Sequence, residues 1–247
     1  MGQRVDPAAY DTIAEWYDES IRVGSLLRDL ALPALWELIG DAADHYVCDL
    51  ACGQGVVARR LAIQGATVVG VDVSAKLLAI ARRYEDEIPL GIGYQQDDAQ
   101  TLATLPDMSF DGVVCNMALT DIPDVAATFR AVHRVLRPKG WFVFSITHPC
   151  FQTATSGWVE GSDGTVRRAI GAYFAEGGWR SDNLAGVRGQ VGAHHRTLST
   201  YVNALHDAGL ALERLREPRA TGRIAERVRG YAEIPAVLVA ACRKAVA

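Results

Sequence analysis

No stretch of this 247-residue chain approaches the ~20 consecutive apolar residues of a spanning helix, and its opening segment, MGQRVDPAAYDTIAEWYDES, has no apolar core of a secretory signal. The expectation is a protein neither membrane-embedded nor exported. Neither sign of charge prevails: 25 lysines and arginines face 29 aspartates and glutamates, no long basic cluster occurs, and the isoelectric point lies near 5.9. That balance argues against nucleic acid as the main partner and for a small molecule. The five cysteines, Cys48, Cys52, Cys115, Cys150 and Cys242, show no paired C-x-x-C spacing. Neither a disulfide framework nor a thiolate metal site is therefore expected, no metal is assigned, and reduced thiols in a cytoplasmic protein fit best. Internal repeats are lacking too.

What the chain does have is apolar material, 49% of its residues, enough for one large α/β domain. Its organising stretch is Val47-Cys48-Asp49-Leu50-Ala51-Cys52-Gly53-Gln54-Gly55. A short apolar run ends in an acid, a glycine-rich turn follows, and residues 56–64 then alternate at helical spacing, with Val57 and Leu61 on one face and Arg59 and Arg60 on the other. The reading is strand, loop, helix. Gly53 and Gly55 permit the backbone conformations of a loop wrapped round a ligand, and loop N–H groups at a helix N-terminus favour an anionic ligand group.

The same pattern recurs. Residues 66–74 form a β-branched run ending at Asp72, before a helical stretch over 75–87; 91–96, 110–119 and 141–147 are further strand runs, with a helix over 125–136 between the last two. This alternation predicts a doubly wound parallel sheet with helices on both faces. Asp72, at a strand end, offers two acceptor oxygens to the two hydroxyls of a ribose. Ser74 is better placed to cap the following helix. The first and fourth strands should flank the crevice at which such sheets bind ligands.

Two cofactor classes use a turn of this kind. Gly53, Gly55 and Ala58 satisfy G-x-G-x-x-G/A, which leaves a nicotinamide or flavin reading open, as in an NAD(P)-dependent dehydrogenase. Asp49 speaks against it, because a carboxylate there would repel a pyrophosphate and attract a cation. The pattern D-x-A-C-G-x-G, together with Y-D-x-I-A-x-x-Y-D over residues 10–18 and H-R-V-L-R-P-K-G-W over 133–141, resembles class I S-adenosylmethionine-dependent methyltransferases of the small-molecule, type 11-like kind. The resemblance runs over nearly the whole chain.

It implies a Rossmann-like seven-stranded sheet, mostly parallel, closed by an antiparallel hairpin from residues 210–215 and 235–242. It also implies one domain over 1–247, with an N-terminal helical cover over 1–45. S-adenosylmethionine is the implied cofactor and a small molecule the implied acceptor, the protein being a monomer or homodimer. The implied cofactor contacts are Tyr17, Asp49, Ala51, Gly53, Gly55, Asp72, Val73, Asp98, Ala99, Asn116, Met117 and Ala118. Within that set Asp98-Ala99 takes the adenine, with Asp97 as the neighbouring alternative. A fold that binds this cofactor without methyl transfer, as a sensor or a cyclisation catalyst, stays open as an alternative.

Residues 149–193 change character, being rich in glycine and aromatics and without a sustained period. A lid-like insertion that builds the acceptor pocket is expected there. Trp16, Tyr173, Trp179 and Tyr201 are the candidate acceptor contacts. Methyl transfer is an in-line displacement that needs a base only where the acceptor must lose a proton. The candidate catalytic groups are His148 after the fifth strand, His195 after the insertion and Asp121 after the fourth strand, all expected to face one cleft mouth; His194 is expected to face solvent.

Overall fold

A computed structural model describes residues 7–245. After a 3-10 turn over Pro7–Thr12 come α1 (Ala14–Val23) and α2 (Leu26–Ile39). Then β1 (Tyr46–Leu50), α3 (Val56–Ile63), β2 (Thr67–Asp72), α4 (Ala75–Glu87), β3 (Gly93–Gln96), β4 (Phe110–Asn116), α5 (Val125–Val135) and β5 (Leu136–Thr147) form the alternating body. Four short strands follow, β6 (Gly157–Glu160), β7 (Val166–Ala169), β8 (Gly177–Trp179) and β9 (Ala193–His195), with α6 (Val187–Gln190) before the last. The chain closes with α7 (Leu198–Asp207), β10 (Leu210–Arg216), α8 (Gly222–Arg227), a 3-10 turn and β11 (Val237–Lys244). The expected N-terminal cover begins at residue 1, and residues 1–6 lie outside the described part.

The main sheet has seven strands in the order β10-β11-β5-β4-β1-β2-β3. β1 to β5 are parallel, and β11 is antiparallel to both β5 and β10. Alternate side chains feed two cores. Cys48, Val113, Cys115, Phe142, Phe144 and Ile146 pack with α5 and α7 on one face, while Val47, Val114, Val143 and Val239 pack with α2 and α3 on the other. Burying both faces fixes the register, since a one-residue slip would exchange every side chain between them. Among the described residues no helix is long and apolar enough to cross a membrane.

Several boundaries differ from the sequence expectation for local reasons. β4 ends at Asn116 rather than at residue 119, because Met117 turns into the left-handed region at φ 58°. β5 begins at Leu136, which pairs with Phe110 before a register irregularity; Lys139 at φ 64° and Gly140 then lead the chain into Trp141. The insertion contains two small antiparallel pairs, β6 with β7 and β8 with β9. With four residues or fewer each, these strands are too short to announce themselves by alternation.

Candidate cofactor cavity and acceptor chamber

β1, β2 and β4 deliver their carboxyl ends to one cavity, whose lining includes Asp49, Ala51, Gly53, Asp72, Val73, Asp98, Ala99, Asn116, Met117 and Ala118. Ala51 and Met117, just past β1 and β4, both hold positive φ, 53° and 58°. Such conformations are costly for residues with a Cβ and gather at sites where the surroundings impose them. Met117 is held by its N–H, which donates to the Ser145 carbonyl and to Ser145 Oγ, each at 3.0 Å.

The two acids of the turn are bound into its backbone. Asp49 Oδ2 accepts the Ala58 N–H at 2.8 Å, and Asp72 accepts the Gly53 N–H through Oδ2 and the Ser74 N–H through Oδ1, both at 2.8 Å. The anticipated loop amides free for an anion are therefore reduced: Gly53 and Ala58 already face the protein's own carboxylates. Burial raises the pKa of Asp49 to about 8, against the lowering effect of the Ala58 bond, with Asp72 adding repulsion. Asp72 is pushed up to about 6, again by burial, and its two amide bonds oppose the shift.

Past β3, Asp97 and Asp98 divide the work. The Asp97 carboxylate accepts from Asp98 N, Thr104 N and Thr104 Oγ1 and so holds the loop, whereas the Asp98 carboxylate accepts, among the described residues, from the Gln100 backbone and amide beside it. Ser74 caps α4 through the Leu77 N–H, as expected.

The N-terminal segment covers this cavity. Asp11 Oδ1 accepts from Ser74 Oγ at 2.6 Å and from Lys76 N at 3.1 Å, and Tyr84 donates to Asp18 at 2.6 Å, so acidic groups of the cover are fastened to α4. Tyr10 and Tyr17 pack edge to face, 5.0 Å between centroids, and both line the cavity. Burial pushes Tyr17 up to about 12, so its hydroxyl stays protonated.

Tyr10, Tyr17, Ile21, Arg28, Asn116 and Met117 also line a wider chamber of about 730 Å³. Its other walls include Trp16, Thr120, His194, Arg227 and the insertion, which contributes among others Trp179 and the segment 185–189. A volume of that size suits a small organic ligand.

Not every anticipated site residue reaches these spaces. Gly55 stands behind the loop at φ 84°, where a Cβ would come within 2.3 Å of the Tyr94 hydroxyl, so its role is in the turn and not in the cavity lining. Tyr173 accepts the Leu198 N–H at 3.0 Å and Tyr201 lies in the core beside Arg196, so neither lines the chamber. His148 is buried, with Nε2 against Glu217 Oε1 at 2.7 Å and Nδ1 accepting from Cys150 N. His195 is buried with Nε2 against the Tyr173 carbonyl at 2.8 Å. The expectation that both histidines face the cleft mouth is thus corrected. So is that for His194, which lines the chamber with a buried Nδ1 that has no hydrogen-bond partner among the described residues. Residues 193–195 form a strand, so His194 and His195 point to opposite sides, and only the pairing of β9 with β8 decides which one meets the chamber.

Asp121 lines the inner cavity but is paired with the Arg188 guanidinium and accepts from the Tyr10 hydroxyl at 3.3 Å. Burial raises its pKa, opposed by Arg188. Arg188, Arg28, Gln54 and Gln100 also contribute to these walls and were not anticipated. Gln54 follows Gly53 in the motif, whereas the other three carry no local sequence signal.

The comparisons with known proteins agree with this arrangement. Residues 48–144 match the family described as a methyltransferase domain. The chain superposes on the S-adenosylmethionine-dependent methyltransferase of Mesorhizobium loti with a TM-score of 0.75 and 35% identity, over 87% of this chain and 97% of that one. A Listeria monocytogenes protein described in the same terms gives 0.75 and 25%, over 88% and 99%. The ubiquinone biosynthesis O-methyltransferase of Pseudomonas syringae pv. tomato is 31% identical over 144 residues, 58% of this chain and 62% of that enzyme's length. The seven-stranded sheet has the class I methyltransferase arrangement, and the chain belongs to the S-adenosylmethionine-dependent methyltransferase family.

Proposed function

We propose that this protein transfers a methyl group from S-adenosylmethionine to a small-molecule acceptor. The observation that carries the reading is a single cavity whose walls hold Asp49, Gly53, Asp72, Asp98 and Ala99 and which shares Tyr10, Tyr17, Asn116 and Met117 with a second chamber. The residues fit the cofactor. Each Asp72 oxygen accepts one backbone bond and keeps a lone pair for a ribose hydroxyl. Asp98 and Ala99 suit the adenine edge, and Asp49 suits the ammonium of the amino-acid end. Gln54 brings a buried amide nitrogen without a partner among the described residues, a donor for that end's carboxylate.

The cofactor supplies a methyl group on a positively charged sulfur. The protein's contribution is positioning and exclusion of water, by Tyr10 and Tyr17 on one side and the insertion on the other. Where the acceptor must lose a proton, His194 is the group suited to take it, because His148, His195 and Asp121 are engaged in bonds of their own. The five cysteines carry no disulfide, which fits a reducing, cytoplasmic setting. Monomer and homodimer are both compatible with the fold.

Calorimetry with S-adenosylmethionine, S-adenosylhomocysteine and NAD tests the reading. The first two should bind and NAD should not. Asp72→Ala should weaken S-adenosylmethionine by about 1–3 kcal/mol, the scale of charge-assisted hydrogen bonds to a buried partner. An unchanged Kd in a folded variant would put the ribose elsewhere.

A further inference from the structure

The acceptor chamber carries charge of one sign on its walls. Arg28 from α2, Arg188 from α6 and Arg227 from α8 line it, and among the described residues no aspartate or glutamate does. Three separate stretches of chain thus bring guanidinium groups to one space. Two are ion-paired with carboxylates that do not line the chamber, Arg28 with Asp29 and Arg188 with Asp121. Arg28 donates to Asp29 Oδ1 at 2.8 Å and to the Ile21 carbonyl at 3.0 Å. Arg188 is paired with Asp121 and donates to Thr120 Oγ1 and the Gly192 carbonyl, both at 3.1 Å.

A guanidinium has five N–H donors in a planar fork, so these contacts orient each group and leave donors over. Arg227 is exposed at the last turn of α8. The remaining lining is apolar in part, with Trp16 and Trp179 contributing aromatic side chains. With the partner carboxylates of Arg28 and Arg188 outside the lining and Arg227 in no ion pair among the described residues, the arginine donors that face the chamber favour oxyanions over cations, and aromatic rings favour a planar body.

We propose that the methyl acceptor is a small planar molecule bearing an oxyanion, carboxylate or phosphate, which the arginines of this chamber hold. The proposal rests on the methyltransferase reading, because it assigns the anion to the acceptor and not to the cofactor.

The test uses the full chain saturated with S-adenosylhomocysteine and calorimetric titration with matched pairs: benzoate and benzamide, cinnamate and cinnamamide, and phenyl phosphate beside phenol. Each anion should bind about tenfold or more tighter than its neutral partner, with an advantage that shrinks as salt is raised. Arg227→Gln should cut anion affinity several-fold and leave S-adenosylhomocysteine binding unchanged, since Arg227 does not line the inner cavity. Phenyl phosphate outranking the carboxylates, or the reverse, decides which oxyanion is preferred. Equal affinity for acid and neutral partner, or no binding by any probe, overturns the proposal. So does an unaffected Arg227→Gln. Failure of S-adenosylhomocysteine to bind instead sinks the cofactor reading, and the anion preference is then read from the same titrations on the unsaturated protein.

Discussion

The backbone N–H of His194 donates to the Thr120 carbonyl at 2.6 Å, fastening the strand that ends the insertion to the loop that leaves β4. Both residues line the outer chamber, so this bond sets the imidazole in its wall. Burial, and after it the Arg196 guanidinium, holds the pKa of His194 below the ordinary value. The ring is neutral at neutral pH and has a lone pair to accept a proton.

His194→Gln is accordingly expected to lower kcat about 100-fold or more for an acceptor that loses a proton during attack, with cofactor affinity unchanged. Because the pKa is depressed, the acid limb of the rate profile should fall below pH 6.5. His148→Gln and His195→Gln should leave turnover within a few-fold and lower the Tm, since they lose bonds to Glu217 and to the Tyr173 carbonyl. Kinetics across pH and thermal melts separate the roles; an unaltered rate in His194→Gln removes it from the chemistry.

Asp49 links folding and binding to pH. Its carboxyl ionises near 3.8 when unfolded and near 8 in the folded protein, so between those values the folded state holds a proton that the unfolded chain has released. Stability therefore falls as pH rises through that window. A cationic ligand group favours the ionised form, so S-adenosylmethionine binding should release the proton and tighten toward about pH 8, by at most about tenfold per pH unit. Calorimetry in buffers of different ionisation heats counts the proton, and Asp49→Asn should abolish its release. Binding without proton release in the wild type would show that the ammonium lies away from Asp49.

Arg188 and Asp121 join the insertion to the β4 loop as a largely buried pair, 25% and 16% exposed. Arg188→Leu leaves the carboxylate buried with the Tyr10 hydroxyl alone, and the cost should be about 3 kcal/mol. The double variant Arg188→Leu with Asp121→Asn should recover much of it. Urea unfolding of the wild type, Arg188→Leu, Asp121→Asn and the double variant measures the coupling, and simple additivity would mean that the pair does not hold the insertion.

Gly55→Ala should be costly at this buried turn. Its φ of 84° alone costs about 1–2 kcal/mol for a residue with a Cβ, and the new methyl would meet the Tyr94 hydroxyl at 2.3 Å. Tyr94→Phe removes that hydroxyl and should restore part of the loss. If the double variant melts no higher than Gly55→Ala alone, the collision is not the cause.

The cofactor half of the site was legible because its residues are set by local pattern. Asp49, Gly53 and Asp72 lie at strand ends or in the first tight turn, where an apolar run, an acid and a glycine recur in sequence order. The period of the apolar residues determined the alternation of strands and helices, and with it the parallel sheet and the edge at which ligands bind.

The acceptor half depended on contacts between distant segments. Arg188 meets Asp121 across 67 positions, and Arg196 holds the carbonyls of Leu119, Ile122 and Pro123 more than 70 positions away. The adjacent histidines His194 and His195 have the same chemistry in the sequence, and period-two geometry forces them apart. Only the pairing of β9 with β8 and the bond to Thr120 turn His194 to the chamber and His195 to the core. Local periodicity is a property of neighbours along the chain and is read directly from it. The walls of a chamber built from α1, α2, α6, α8 and the β4 loop are a property of packing, and exist only once two cores have fixed where those segments lie.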